Sequence, residues 1–140
     1  TFAIRQVSRG HRRVDLYDEK EYPNDYRLPN GNTVCLPYLA ALIRLADEVD
    51  VVATRNPVLL YDIELLMDQV QIMENKKLLA IRSLRMTDEA YILTAQVDDE
   101  QIFASIEKMC QKMQDTLDLC RDVVRKRTDY AIDQQTVILK

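Results

Sequence analysis

The chain has 140 residues, 47% of them hydrophobic, with 23 acidic against 19 basic side chains and a formal net charge of −4. Such apolar content excludes a disordered chain, and the length suits one domain able to bury roughly two-thirds of its unfolded surface. Net negative charge argues against nucleic acid as a partner, because phosphate backbones are bound by clustered cations.

Two glycines and four prolines, three of the prolines before residue 40, imply few tight turns later in the chain and therefore long helices. The three cysteines, Cys35, Cys110 and Cys120, are odd in number and widely spaced, which suits a reducing compartment better than a disulfide framework. There is no C-x-x-C, and one histidine cannot complete a structural zinc set. No signal peptide and no run of about 18 apolar residues is present, so a cytoplasmic chain without membrane contact is expected.

Residues 1–13 place Phe2, Ile4 and Val7 among basic side chains, as in the tail of a helix, and Gly10 ends it. Arg5, Arg9, His11, Arg12 and Arg13 lie within nine residues. This run is either a solvated helix end or a site for a phosphate-bearing ligand. Residues 14–35 read as a long loop with a small hairpin around Asn30-Gly31, a strong turn signal. Tyr17, Tyr22 and Tyr26 in it either line a pocket or pin the loop to the body by aromatic burial.

Leu36 to Pro57 reads as one helix, with Pro37 in its first turn and Asn56-Pro57 marking its stop and the next start. At 100° per residue Leu39, Ile43, Ala46 and Asp50 share the face expected to be buried, with Asp47 on its shoulder, while Arg44 and Glu48 point away. A buried carboxylate needs a partner, so Asp47 and Asp50 call for an ion pair, a hydrogen bond or a metal. A second helix is expected from Asn56 to about Asn75 on Leu59, Leu60, Ile63, Leu66, Met67, Val70 and Met73, with Asp62 and Glu64 near its N-terminus.

After Asn75-Lys76-Lys77 the period changes to two. Residues 78–86 and 90–97 are expected to form a hairpin, with Tyr91, Leu93, Ala95 and Val97 on one face of its second strand. Asp98 and Gln101 make a capping-box-like start for a long helix to about Arg127. Its stripe is Ile102, Phe103, Ile106, Met109, Cys110, Met113, Leu117, Cys120 and Val124. Thr136-Val137-Ile138-Leu139 supplies a third strand. The long helix exceeds what a two-stranded hairpin can cover, so part of its stripe is expected to meet the second helix, another copy of the chain or a further domain.

Leu-Ile-Arg-Leu-Ala-Asp-Glu-Val-Asp, residues 42–50, resembles the helix that supplies the last aspartate in the HD superfamily of metal-dependent phosphohydrolases, written L-x-R-L-A-D-x-L-D. Ser-Arg-Gly-His, residues 8–11, resembles the segment that carries an additional active-site histidine in several branches. The likeness covers about residues 1–57 and is closest to HD-like domains beside ATPase modules in bacterial multidomain proteins. In that family a His, a His-Asp pair and the late Asp hold one or two divalent ions that activate a water against a phosphate ester. The resemblance therefore implies Asp47 as a ligand to Mn²⁺ or Mg²⁺, His11 as a metal or phosphate contact, and Arg12 and Arg13 as phosphate or substrate contacts. Asp50 is read as a structural acid.

The sequence departs from the family pattern in having a single histidine and no His-Asp dipeptide. No cofactor is certain, and a divalent metal is expected only where an upstream His-Asp motif exists. The chain start at Thr1 without a preceding Met favours a piece of a longer protein. The expectation is an α+β chain: residues 1–57 form the C-terminal part of an HD-like helical domain, and residues 58–140 form a helix and a β-β-α-β unit packed on it as one continuous compact domain. The isolated chain is expected to be a non-catalytic regulatory or interaction part of a larger bacterial protein. The alternative is the C-terminal portion of a phosphohydrolase acting on a phosphate ester or nucleotide. Partners are an upstream domain of the same protein or a second copy through the long helix.

Overall fold

The computed structural model describes residues 1–51 and 69–140. In chain order these form α1 (Phe2–Arg9), β1 (Tyr26–Arg27), β2 (Thr33–Val34), α2 (Leu36–Val49), α3 (Gln69–Ala80), β3 (Ile81–Met86), β4 (Ala90–Ala95), α4 (Glu100–Arg127) and β5 (Thr136–Leu139). The α+β class expected from the two periodicities is observed. Residues 1–49 and 115–133 make one compact unit, and residues 50–114 and 134–140 make the other. No helix among the described residues is long and apolar enough to cross a membrane.

In the first unit α1 packs on α2. Its inward face is Ala3, Gln6 and Gly10, all buried, while Ile4 is 68% exposed. Gly10 is helical, with φ −56° and ψ −27°, so no left-handed turn requires it. Its reason is proximity: a Cβ there would lie 2.8 Å from the Cα, Cβ and carbonyl oxygen of Ala40.

The same close packing decides which face of α2 is buried. Leu36, Pro37, Ala40, Ala41 and Leu45 are inside, while Leu39, Ile43, Ala46, Asp47 and Asp50 are exposed. The expected buried face is thus the outer one, and neither acid is desolvated. Small residues let backbones approach, and that outweighed the larger apolar area on the other side. The helix also ends at Val49 rather than Asn56, because Val49-Asp50-Val51 is a run of poor helix formers.

The loop from residue 10 to residue 24 is long, and its inward carbonyls need donors. Arg44 of α2 serves those of Gly10, Arg12 and Val14, and Arg127 of α4 serves those of Leu16 (3.0 Å) and Tyr22 (2.9 Å). The tyrosines fasten this segment. Tyr22 is buried, Tyr26 packs on Phe2 with ring centroids 5.3 Å apart, and Tyr17 donates its hydroxyl hydrogen to Asp122. The expected hairpin is present as β1 and β2, antiparallel through Tyr26↔Val34 and Arg27↔Thr33, with Gly31 at φ +89° in its turn. Leu117, Cys120, Val123 and Val124 of α4 are buried, and the Cys120 Sγ lies 3.4 Å from the Ala41 carbonyl oxygen.

In the second unit the expected β-β-α-β arrangement forms a three-stranded sheet of order β3-β4-β5. β3 and β4 are antiparallel, and β4 and β5 are parallel with Ala90↔Thr136 and Leu93↔Leu139 in register. Ala90, Tyr91, Ile92 and Leu93 are all buried, so the central strand is covered on both faces instead of alternating. Ile81, Leu93, Ile102 and Ile106 centre the core, with Met73, Leu78, Leu84, Met109, Cys110 and Leu139 packed against them.

Three expectations need correction here. The charged run at 75–77 is no break, since α3 continues to Ala80. Lysine is a good helix former, and Lys77 pairs with Glu74 at 2.7 Å across one turn. The cap of α4 is Asp99 rather than Asp98: its Oδ1 accepts from the backbone N–H groups of Gln101 (2.7 Å) and Ile102 (3.2 Å). β4 ends at Ala95 rather than residue 97. The first part of the expected second helix, with Leu59, Leu60, Asp62, Ile63, Glu64, Leu66 and Met67, lies outside the described residues.

Candidate functional site at the end of helix α1

The turn after α1 begins at Gly10, pressed against Ala40, and its direction is set by Arg44 one helical turn further along α2. The Arg44 Nε donates to the Gly10 carbonyl at 2.6 Å, and Nη2 donates to those of Arg12 (2.5 Å) and Val14 (2.8 Å). A planar guanidinium presents its N–H groups in a fixed fork, so one side chain reaches three carbonyls, of which that of Arg12 also accepts from the Val14 N–H at 2.9 Å. With the carbonyls turned inward, the side chains of His11, Arg12 and Arg13 are all exposed.

His11 is tied to its own helix. Its Nδ1 lies 2.5 Å from the Ser8 carbonyl oxygen. A carbonyl only accepts, so Nδ1 carries the hydrogen, and in the neutral ring Nε2 keeps its lone pair and is not used in this bond.

Beneath the turn lies a polar network. Gln6 is 1% exposed, and its Nε2 donates to Glu21 Oε2 at 2.5 Å and to the Glu21 carbonyl at 3.0 Å, while its Oε1 accepts from Arg9 Nη1 at 3.1 Å. Arg9 also faces the Glu21 carboxylate at 3.8 Å, across a half-exposed gap that makes this pair a weak one. Tyr22 is 2% exposed, and its hydroxyl is buried with no hydrogen-bond partner among the described residues. Burial pushes the phenol up from its ordinary value, the Arg9 and Arg44 charges oppose that shift, and Glu21 adds to it.

Of the residues singled out in the sequence, His11, Arg12 and Arg13 are brought together on this turn. Asp47 stands on α2 three residues beyond Arg44, exposed. Among the described residues no hydrogen bond or ion pair joins it to His11, Arg12 or Arg13. Asp50 is exposed just past the end of α2. Arg44 spends its Nε and Nη2 on carbonyls instead of on Asp47. Sequence reasoning missed the role of Arg44, which was expected to point away, and the burial of Gln6. An arginine inside an apolar helix segment was the available signal for the first; an isolated glutamine among basic residues offered none for the second.

The residues described do not fit a complete metal site. No group of three or more His, Cys, Asp or Glu that could hold an ion occurs among them, and the sequence has one histidine. No curated protein and no solved structure matches the chain. The HD-CE family model matches residues 2–130, well past the 1–57 span of the resemblance and through α3, the hairpin and α4. The chain therefore belongs to the HD-CE family and carries an HD-related domain.

Proposed function

We propose that this HD-related domain is a regulatory, non-catalytic part of a larger bacterial protein, and that the turn after α1 takes up a phosphate-bearing ligand. The observation that carries the reading is the exposure of His11, Arg12 and Arg13 side by side on a turn whose carbonyls are withdrawn towards Arg44. The Arg12 and Arg13 guanidinium groups are exposed donors, while the carbonyls of Gly10, Arg12 and Val14 are turned towards Arg44, so main-chain oxygens of the turn are held away from an incoming anion. An upstream domain of the same protein is the partner that would read the bound state.

Calorimetric titration of the chain with inorganic phosphate and with a nucleoside monophosphate tests this. Hydrogen bonds to a charged group contribute about 1.5–3 kcal/mol, so the Arg12→Ala, Arg13→Ala double variant should bind at least about tenfold more weakly. Equal binding by wild type and double variant sinks the proposal.

A second reading, a portion of a metal-dependent phosphohydrolase, draws on the exposed carboxylate of Asp47. It needs His and His-Asp ligands from outside the described residues. Manganese binding by the native gene product and by its Asp47→Ala variant separates the two readings. Loss of binding in the variant favours the hydrolase, and equal binding removes Asp47 from any metal role.

A further inference from the structure

We propose that Arg44 is a positioning residue for the ligand turn: by ordering the carbonyls of Gly10, Arg12 and Val14 it fixes His11 in the form that carries its hydrogen on Nδ1 and offers Nε2, beside Arg12 and Arg13, to the phosphoryl group. The inference rests on the ligand reading above and adds a residue that does not touch the ligand. Its basis is a chain of contacts. Gly10 abuts Ala40, so the end of α1 is held against α2. Arg44 then sets the three carbonyls that follow, at 2.5–2.8 Å. That geometry places the His11 ring over the last turn of α1, where its Nδ1 meets the Ser8 carbonyl at 2.5 Å.

A free histidine side chain prefers its hydrogen on Nε2, so the Nδ1–H form has to be imposed by the fold. An Nε2 lone pair can accept a hydrogen bond from a phosphate monoanion, and a ring that gains a proton there becomes a donor to the dianion. Lysine at position 44 would keep the charge but could not span three carbonyls with one planar fork.

The chain has one histidine, so its ring signals in a long-range proton–nitrogen NMR correlation are unambiguous. In alkaline buffer, where imidazole is neutral, wild type should show a protonated Nδ1 and a bare Nε2. Arg44→Lys should shift the signals towards the Nε2–H form and weaken inorganic phosphate binding by about tenfold, with helix content unchanged by circular dichroism. A wild-type spectrum of the Nε2–H form overturns the proposal without any variant. Arg44→Lys with wild-type tautomer and wild-type affinity overturns it as well. If the tautomer changes with Arg44 while neither protein binds phosphate, the positioning of His11 stands and the ligand reading of the preceding section falls.

Discussion

Replacing Gly10 with alanine sets two effects of opposite sign against each other. The glycine sits at φ −56° and ψ −27°, a conformation alanine adopts without strain. Through the unfolded state alone Gly10→Ala should therefore stabilise by about 0.4–1 kcal/mol. Against this, the new methyl would sit 2.8 Å from the Cα, the Cβ and the carbonyl oxygen of Ala40, none of them on a flexible side chain. Overpacking of this kind costs about 1–3 kcal/mol. The contact should win, leaving a net loss of about 1–2 kcal/mol and a fall in Tm of about 3–6 °C for a chain of this size.

Ala40→Gly costs about 0.5–1 kcal/mol by itself, being inside a helix. In the Gly10→Ala background it removes one of the three crowding atoms, so the double variant should recover part of the loss, with a coupling of about 0.5–1 kcal/mol in a double-mutant cycle. Urea or thermal unfolding of the four proteins measures this. A Gly10→Ala chain more stable than wild type would refute the close approach of α1 to α2 on which the site is built.

Tyr22→Phe removes a buried hydroxyl that has no partner among the described residues, so unfolding should show a change between neutral and about 1 kcal/mol stabilising; a loss above 1 kcal/mol would reveal a hydrogen bond to that oxygen. Burial pushes the Cys120 thiol up to about 11, against the Arg44 charge, so in native protein at mildly alkaline pH a thiol reagent should label the half-buried Cys35 and Cys110 long before Cys120. The Tyr17–Asp122 hydrogen bond has a definite pH window. Chiefly that bond, with Arg125 and Lys126, holds the Asp122 carboxyl down at about 2, and the same bond first, then burial, lifts the Tyr17 phenol to about 12. The lowered carboxyl contributes stability above its ordinary range near pH 4 that is lost as pH falls towards 2, and the raised phenol contributes stability below about pH 10 that is lost as pH rises towards 12. The Tm difference between wild type and Tyr17→Phe should accordingly be flat from about pH 4 to 10 and shrink on either side; a difference that drifts across the plateau would place the coupling elsewhere.

What the sequence disclosed depended on how each element packs. β3, β4, β5 and α4 were legible, because their burial follows large apolar side chains: the stripe through Ile102, Ile106, Met113, Leu117, Cys120 and Val124 is buried within the chain. Phe103, on the edge of that stripe, is 46% exposed. The inner faces of α1 and α2 were not legible, because Ala3, Gly10, Ala40 and Ala41 are buried for their smallness, and an apolar wheel gives small residues little weight. The extent of α3 was misjudged because Leu78-Leu79-Ala80 can be read at either period, and only its continuation from Lys77 decides it. His11, Arg12 and Arg13 were visible as a basic run. Their order on one turn was not, since it depends on main-chain carbonyls, which leave no mark in the sequence.

Two residues of the Leu-Ile-Arg-Leu-Ala-Asp stretch, Arg44 and Leu45, have structural roles of their own. Leu45 is buried, and Arg44 donates to the loop carbonyls of Gly10, Arg12 and Val14. Removing Arg44 would leave the carbonyls of Gly10 and Val14 to find water or move, each at a cost of about 1–3 kcal/mol if it stays buried, while that of Arg12 would keep its bond from the Val14 N–H. That demand is the same whether or not a histidine cluster stands opposite Asp47. The arginine is needed to shape the turn that carries His11.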